Sequence, residues 1–317
     1  MLEEHFKENG YEMPDLWFYT VDDLIKEFPK LDKHILKCCL EDFKPSIDNR
    51  EYLRNLISEK FNIQPYNGNF KGHHLDFKID NVLISINSAY DNENNRKFWE
   101  ETQSEYRCIQ IPDVYFWDLN RYKVILNLIE HALKRTPKTI YARKCKVTIK
   151  PAKELKEFFT KNNIQGYRNA KTAFCLEYEN EVVMCYTVGH AWFGKGLYDA
   201  EIARGACKLG CTVVGGASKL WKSIQDYYNT HNLDNSEGQL NSIVYYCDLN
   251  YYNAQSLKIL NTEFVKTQKG FWNYWVETKE LKNREPSRHS YIMEQMRQGK
   301  ILVLDNAGTA VYVWKRK

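Results

Sequence analysis

The chain has no apolar run approaching the ~18 residues that a membrane-spanning helix needs. Its opening residues, Met1-Leu2-Glu3-Glu4, lack the basic and apolar regions of a secretory signal, so none is expected. The nine cysteines are an odd number with no framework spacing. Phe174-Cys175-Leu176 and Val183-Met184-Cys185-Tyr186 place several of them in apolar, strand-like runs, where Cys serves as a small hydrophobe. A reducing, intracellular compartment is the reading. Cys207 and Cys211 have neither a second pair nor a His at zinc spacing, which argues against a structural zinc. The phosphate-binding pattern GxxxxGK[ST], internal repeats and low-complexity tracts are also missing.

What is present is an ordinary globular composition, 43% hydrophobic and 27% charged, over 317 residues, enough for two domains. Aromatics reach 14%, with 22 Tyr, 15 Phe and 8 Trp. Such residues fill cores or stack on bases. The net charge of +4 conceals a segregation. Residues 1–131 carry 16 basic and 24 acidic side chains, whereas positions 134–171 hold twelve Lys/Arg against only Glu154 and Glu157. A basic segment of this kind suits a polyanion, double-stranded DNA among others, or else reads as a well-solvated set of helices and strands; no membrane is expected.

Periodicity predicts helices over 20–43, from Asp48 to Phe61, and over 97–105, 124–133, 151–161, 219–228, 253–260 and 287–298. Glu51 stands three residues after Asp48, the spacing of a capping box. Strands are expected at 75–79 and 82–86 around Asp80-Asn81, at 107–111, and at 140–149. Another hairpin is expected from 173–178 and 181–188 across Glu179-Asn180, then strands at 242–247 and 271–277. Residues 199–207 read as a short helix or strand. A closing hairpin pairs 301–304 with 311–314. Lys134-Arg135-Thr136-Pro137 ends a helix where the charge balance changes, dividing the chain into 1–136 and 137–317. The fold class expected is α+β or α/β in two domains.

Val213-Val214-Gly215-Gly216-Ala217-Ser218-Lys219-Leu220 follows a short strand and opens a helix. Gly215-Gly216 reads as a close-packing turn. The N–H groups of the helix start, with Lys219, also suit a DNA phosphate. Further residues extend this pattern: Tyr141-Ala142-Arg143-Lys144-Cys145, Gln165-Gly166, Glu201-x-x-Arg204, Cys207-Lys208-Leu209, Tyr246-x-Asp248 and Asp305-x-Ala307-Gly308-Thr309-x-x-Tyr312. On these the run from Ile140 onward resembles the C-terminal domain of phage homing-endonuclease-like (Hef-like) proteins, an acyltransferase-like GNAT domain similar to the phage DNA-modification protein Mom. The resemblance implies a bacteriophage protein in the cytoplasm of an infected bacterial cell. It places Arg204 and Asp248 at a transferase-type active site. The Tyr and Gly usual after that Asp are replaced within Gln255–Phe264.

The first part resembles the Vsr-like, PD-(D/E)XK-like nuclease domain that precedes such modules. That resemblance implies a DNA endonuclease in which Glu51 and Asp76 hold Mg²⁺, the ion that generates hydroxide and stabilises the transition state. Asn87 stands where the pattern carries a Glu, which points to an impaired site and to no cofactor if the nuclease is inactive. His73-His74 read as loop histidines, while Asp80, Asp91 and Glu93 are the acids near enough in sequence to replace the missing ligand. Nucleic-acid contacts are expected from Arg143, Lys144, Lys146, Lys150, Lys153, Arg168 and Lys219. A group-transferring enzyme acting on DNA, or a non-catalytic DNA-binding or interaction protein, are the alternative functions.

Overall fold

Glu179 and Asn180 both adopt left-handed backbone angles, φ 52° and 64°, the twist that suits a two-residue link between antiparallel strands. Asp80, at φ 49°, turns the chain in the same way. The hairpins expected at these two points are present.

The computed structural model describes residues 50–66, 68–87, 98, 101–192, 196–234, 236–252, 257, 260–268, 271–276, 278, 280–283, 289–305 and 307–316, with positions 8, 25 and 29 standing alone. The protein is mixed α/β with several sheets. In chain order, α1 (Arg50–Phe61) is followed by β1 (Gly68–Phe70), β2 (His73–Leu75), β3 (Phe77–Ile79), β4 (Val82–Asn87) and β5 (Arg107–Pro112). Next come α2 (Leu119–Ala132), β6 (Lys138–Tyr141), β7 (Lys146–Pro151), α3 (Lys156–Asn162), β8 (Thr172–Tyr178), β9 (Glu181–Gly189), β10 (Ala200–Cys207) and β11 (Cys211–Val214). The rest is α4 (Gly216–Tyr228), β12 (Ser242–Asp248), β13 (Glu263–Gln268), β14 (Phe271–Trp275), β15 (Glu280–Asn283), α5 (His289–Arg297), β16 (Ile301–Asp305) and β17 (Thr309–Lys315). Among the described residues no helix is long and apolar enough to cross a membrane. The helices expected at 20–43 and 253–260 lie largely outside the described residues, as does Asp48; the one expected at 97–105 is described at Phe98 and over 101–105, where helix gives way to a turn after Thr102.

The largest sheet has the order β13-β17-β12-β10-β9-β8-β7. Its neighbours are antiparallel except at one place, the parallel pair β10/β12. The crossover between those two strands carries α4, whose Leu220, Trp221, Ile224 and Tyr228 form its buried side, as a parallel connection requires. A smaller sheet, β3-β4-β5, holds an antiparallel and a parallel pair. β4 and β5 are almost wholly buried, and their continuous apolar runs fit a strand covered on both sides. Asp118 caps α2, accepting from the N–H groups of Asn120 and Arg121.

Two hydrophobic cores draw side chains from both sides of position 136. One unites Leu53, Ile57, Ile84 and Ile129 with Tyr251, Tyr274 and Leu304. The other unites Leu75, Leu83 and Cys108 with Phe174, Ile202 and Trp221. Polar contacts cross as well: Gln110 N–H donates to Asn250 O (2.7 Å), Gly210 N–H to Asn127 Oδ1 (2.7 Å), and the hydroxyls of Tyr251 and Tyr115 meet at 2.8 Å.

Three expectations need correcting. Residues 140–149 are not one strand: a 3-10 turn at Ala142–Lys144 separates β6 from β7, which belong to different sheets. Buried Ala142 and Cys145 anchor that turn, and the Lys219 ammonium binds both of their carbonyls. The closing hairpin is absent, because β16 pairs with β14 while β17 pairs with β12 and β13. Leu304 enters the core around Leu53, and Val311 and Val313 pack on Val244, so the two strands serve different hydrophobic clusters. Residues 200–207 form a strand, and the helix expected at 151–161 begins as a 3-10 turn, Ala152–Leu155.

Candidate functional site

β10 and β12 pair over only three positions, Ala200–Ile243, Glu201–Val244 and Ile202–Tyr245. Beyond them β10 continues beside β9 as far as Cys207, after a register shift between Ile202 and Arg204. β12 continues beside β17 as far as Asp248. The two strands therefore part, and a wedge opens in the middle of the sheet. Bulges of this kind re-aim side chains and are over-represented beside active sites. Arg204 to Cys207, Tyr245, Tyr246 and Asp248 are half-buried although they belong to central strands. Gly205 makes room for the Tyr186 ring, which a Cβ there would meet at 2.5 Å and which packs edge-on against Tyr245.

The segment between α3 and β8 is tied across this opening by four contacts. Asn163 Nδ2 donates to Gly205 O (2.9 Å), and Gln165 Nε2 donates to Asp248 Oδ2 (3.3 Å). Arg204 Nε donates to Gly166 O (3.0 Å), while Arg168 forms an ion pair with Glu201. Glu201 is fully buried and also accepts the Trp192 N–H at 2.6 Å. Arg204 places NH1 on Ala203 O (2.8 Å).

This setting shifts the charged groups. Burial pushes the Asp248 carboxyl up to about 6, against the opposing hydrogen bonds from Asn250 and Gln165. Burial, together with Arg168 nearby, pulls the Arg204 guanidinium down to about 10, with Glu201 opposing. Tyr246, on the same strand as Asp248, is pushed up to about 12 by burial and by Glu201. A carboxylate that titrates near neutrality can accept a proton, and a desolvated cation can balance a developing negative charge.

The residues expected for metal-dependent cleavage are arranged differently. Asp76 is fully buried, and its carboxylate faces Arg50 through Nε (3.0 Å) and NH2 (3.2 Å). Its Oδ2 also accepts the Ile86 N–H at 2.7 Å, and His74 Nε2 lies 3.7 Å from Oδ1. Glu51 is exposed on α1, Asn87 Oδ1 accepts from Ser85 Oγ (3.1 Å), and Asp80 is an exposed turn residue. Among the described residues no three His, Cys, Asp or Glu side chains form a metal-holding group; Asp91 and Glu93 lie outside them. The carboxylate of Asp76 is thus engaged by the Arg50 guanidinium and a backbone N–H, with neither Glu51 nor Asn87 among these partners.

The expected nucleic-acid contacts fall into two sets. Arg143, Lys144, Lys146 and Lys153 are exposed, Arg143 lying over the Tyr141 ring at 5.3 Å. Lys150 is paired with Glu177 at 2.6 Å, Arg168 with Glu201, and Lys219 with the carbonyls of Ala142 (3.0 Å) and Cys145 (2.7 Å). Tyr141, Ala142, Arg143, Val214, Gly215 and Lys219 line an open groove of about 360 Å³. Gly215 is left-handed (φ 75°). A Cβ on Gly216 would meet Met184 Sδ at 2.5 Å and Val213 Cγ1 at 2.9 Å, so this glycine serves close packing. The lysine of this loop is thus turned to backbone carbonyls.

Arg204 and Asp248 were expected residues, and the strand register brings them to one opening. Gln165 had a signal only as part of the Gln165-Gly166 dipeptide. Trp192 had none. No protein-family description matches this chain, and no curated protein matches it.

Proposed function

We propose that this protein binds duplex DNA and that its reactive centre is the β10/β12 wedge of a GNAT-like, Mom-like domain, with group transfer to DNA as the reaction class. One observation carries the reading. An otherwise antiparallel seven-stranded sheet has a single parallel pair, which opens past Ile202 onto Arg204 and Asp248. Asp248, raised to about 6, takes a proton from the attacking amine or hydroxyl of the acceptor. Arg204 stabilises the negative charge that develops on the transferred acyl group as the acceptor adds to it; the bond from that group to its donor then breaks, and the donor's leaving group departs with a proton. The exposed cations Arg143, Lys144, Lys146 and Lys153 hold the phosphate backbone. Neither Mg²⁺ at Asp76 nor an acyl donor at the glycine loop enters these steps.

The reading is tested by expressing the full chain in bacterial cells, digesting their DNA to nucleosides and weighing them. A mass-shifted nucleoside is expected with the wild type and not with Asp248→Asn or Arg204→Gln. Nicking of duplex DNA that needs Mg²⁺ or Mn²⁺ and disappears in Asp76→Ala would favour the endonuclease instead.

A further inference from the structure

Trp192 follows the end of β9 and is 74% exposed. Its backbone is nevertheless held firmly, since its N–H donates at 2.6 Å to a carboxylate, Glu201, that has no exposure at all. The same carboxylate carries Arg168, whose guanidinium lies 5.9 Å from the centre of the Trp192 ring. A buried charge is thus satisfied by two partners, and through them it fixes where the indole is presented. Arg168 belongs to the segment that reaches Asp248 through Gln165. On β12, Tyr246 is near enough to Glu201 and Arg168 to feel their charges, and it stands two residues before Asp248. An exposed aromatic residue and a guanidinium are therefore connected, through the segment 165–168, to the carboxylate of Asp248.

We infer that Trp192, braced by Arg168 and Glu201, is a stacking platform for a single unstacked nucleobase whose polar edge faces the wedge. This rests on the reading of the wedge as a centre acting on DNA. A base inside a duplex is shielded by its neighbours, so chemistry on it requires its removal from the stack. A planar aromatic side chain with a guanidinium alongside is what receives such a base, irrespective of its identity. An apolar peptide partner would call for a pocket rather than one ring beside a cation, and it accounts less well for the buried Glu201.

The test compares the full chain with Trp192→Ala and Trp192→Phe on two duplexes of equal length, one fully paired and one with a single central mismatch. A mismatched base leaves the stack at lower cost. Wild type is expected to bind the mismatched duplex more tightly. Trp192→Ala should lose on the order of tenfold on that duplex and less than about twofold on the paired one, the scale of one base–aromatic stack. Trp192→Phe should retain most of the preference, which separates stacking from a general loss of structure. Equal loss on both duplexes, or no loss on either, overturns the platform while leaving DNA binding in place. Failure of the wild type to bind any duplex overturns the platform and the DNA reading together. Cross-linking of Trp192 to a protein partner with no effect on DNA affinity would transfer the surface to protein recognition.

Discussion

Arg50 and Asp76 form a forked ion pair, Nε to Oδ1 at 3.0 Å and NH2 to Oδ2 at 3.2 Å, with the Asp76 side chain fully buried and that of Arg50 29% exposed. The fork, and the Ile86 N–H on the same carboxylate, make Asp76 a tether between α1 and the β3-β4-β5 sheet. Removing one partner of a buried pair leaves the other charge uncompensated. Asp76→Ala is expected to cost about 3 kcal/mol, the low end of that range, because Arg50 can reach water. Urea denaturation of both proteins measures it. An unchanged midpoint would show that the pair contributes nothing to stability.

Asp248 makes stability depend on pH. Its native pKa is raised from 3.8 to about 6, so the folded state binds that proton more tightly than the unfolded chain. The contribution is complete below about pH 4, is lost as pH rises to about 6, and is flat above. Other carboxylates titrate in the same window, so the readout is the difference between wild type and Asp248→Asn. The variant should gain relative stability between about pH 4 and 6. On the proposed reading, transfer activity should rise with a midpoint near pH 6, where half of the Asp248 carboxylate is formed. A wild-type-minus-variant curve flat from pH 4 to 7 would remove Asp248 as the group titrating there.

The two glycines flanking β11 respond differently to alanine. Gly216→Ala drives a Cβ into Met184 and the β-branched Val213, and overpacking of this kind costs about 1–3 kcal/mol. Gly210 has φ 73° and open space around its missing Cβ, so Gly210→Ala bears only the left-handed strain, about 1 kcal/mol. Thermal melts of the pair should place Gly216→Ala lower. The reverse order would mean that the glycine loop relaxes freely.

Charge counting alone treats the lysines of the basic segment as equivalent, but their partners separate them. Lys144, Lys146 and Lys153 are exposed, whereas Lys150 sits on Glu177 at 2.6 Å. Replacing the three exposed lysines by alanine should flatten the log–log dependence of DNA affinity on salt by up to about three, near 0.9 for each phosphate contact. Lys150→Ala should leave that slope nearly unchanged. A titration series at several salt concentrations distinguishes the two, and equal effects would mean that Glu177 releases its lysine on binding.

The parts of this fold legible in the sequence are those whose partners are near in the chain. Glu179-Asn180 and Asp80-Asn81 announce their hairpins because turn geometry sets the register locally. The apolar spacing of 219–228 likewise foretells the body of α4, with three further residues at its start. The split between β6 and β7 was not legible, because it depends on Lys219, more than 70 positions away. The same holds for β16 and β17, each claimed by a distant strand. At the wedge, Arg204 and Asp248 could be named from the resemblance. That both border one opening follows from a bulge and from where a parallel ladder stops, neither of which has a residue signature. Arg50 opposite Asp76 is a tertiary pairing of two charges that the sequence pattern reads as separate.

The parallel pair β10/β12 also bears on how the chain acquires its structure. β7, β8, β9 and β10 follow one another in sequence and in space, so their antiparallel ladders close short loops. β12 must wait for the crossover through β11 and α4, and β17 arrives more than 60 residues later still. Contacts of long sequence separation form slowly, since the loop-closure entropy precedes their reward. The opening that holds Arg204 and Asp248 is therefore a seam between an early-forming meander and a late-joining half. Pulsed hydrogen exchange during refolding should find the amides of β8 and β9 protected before those of β12 and β17.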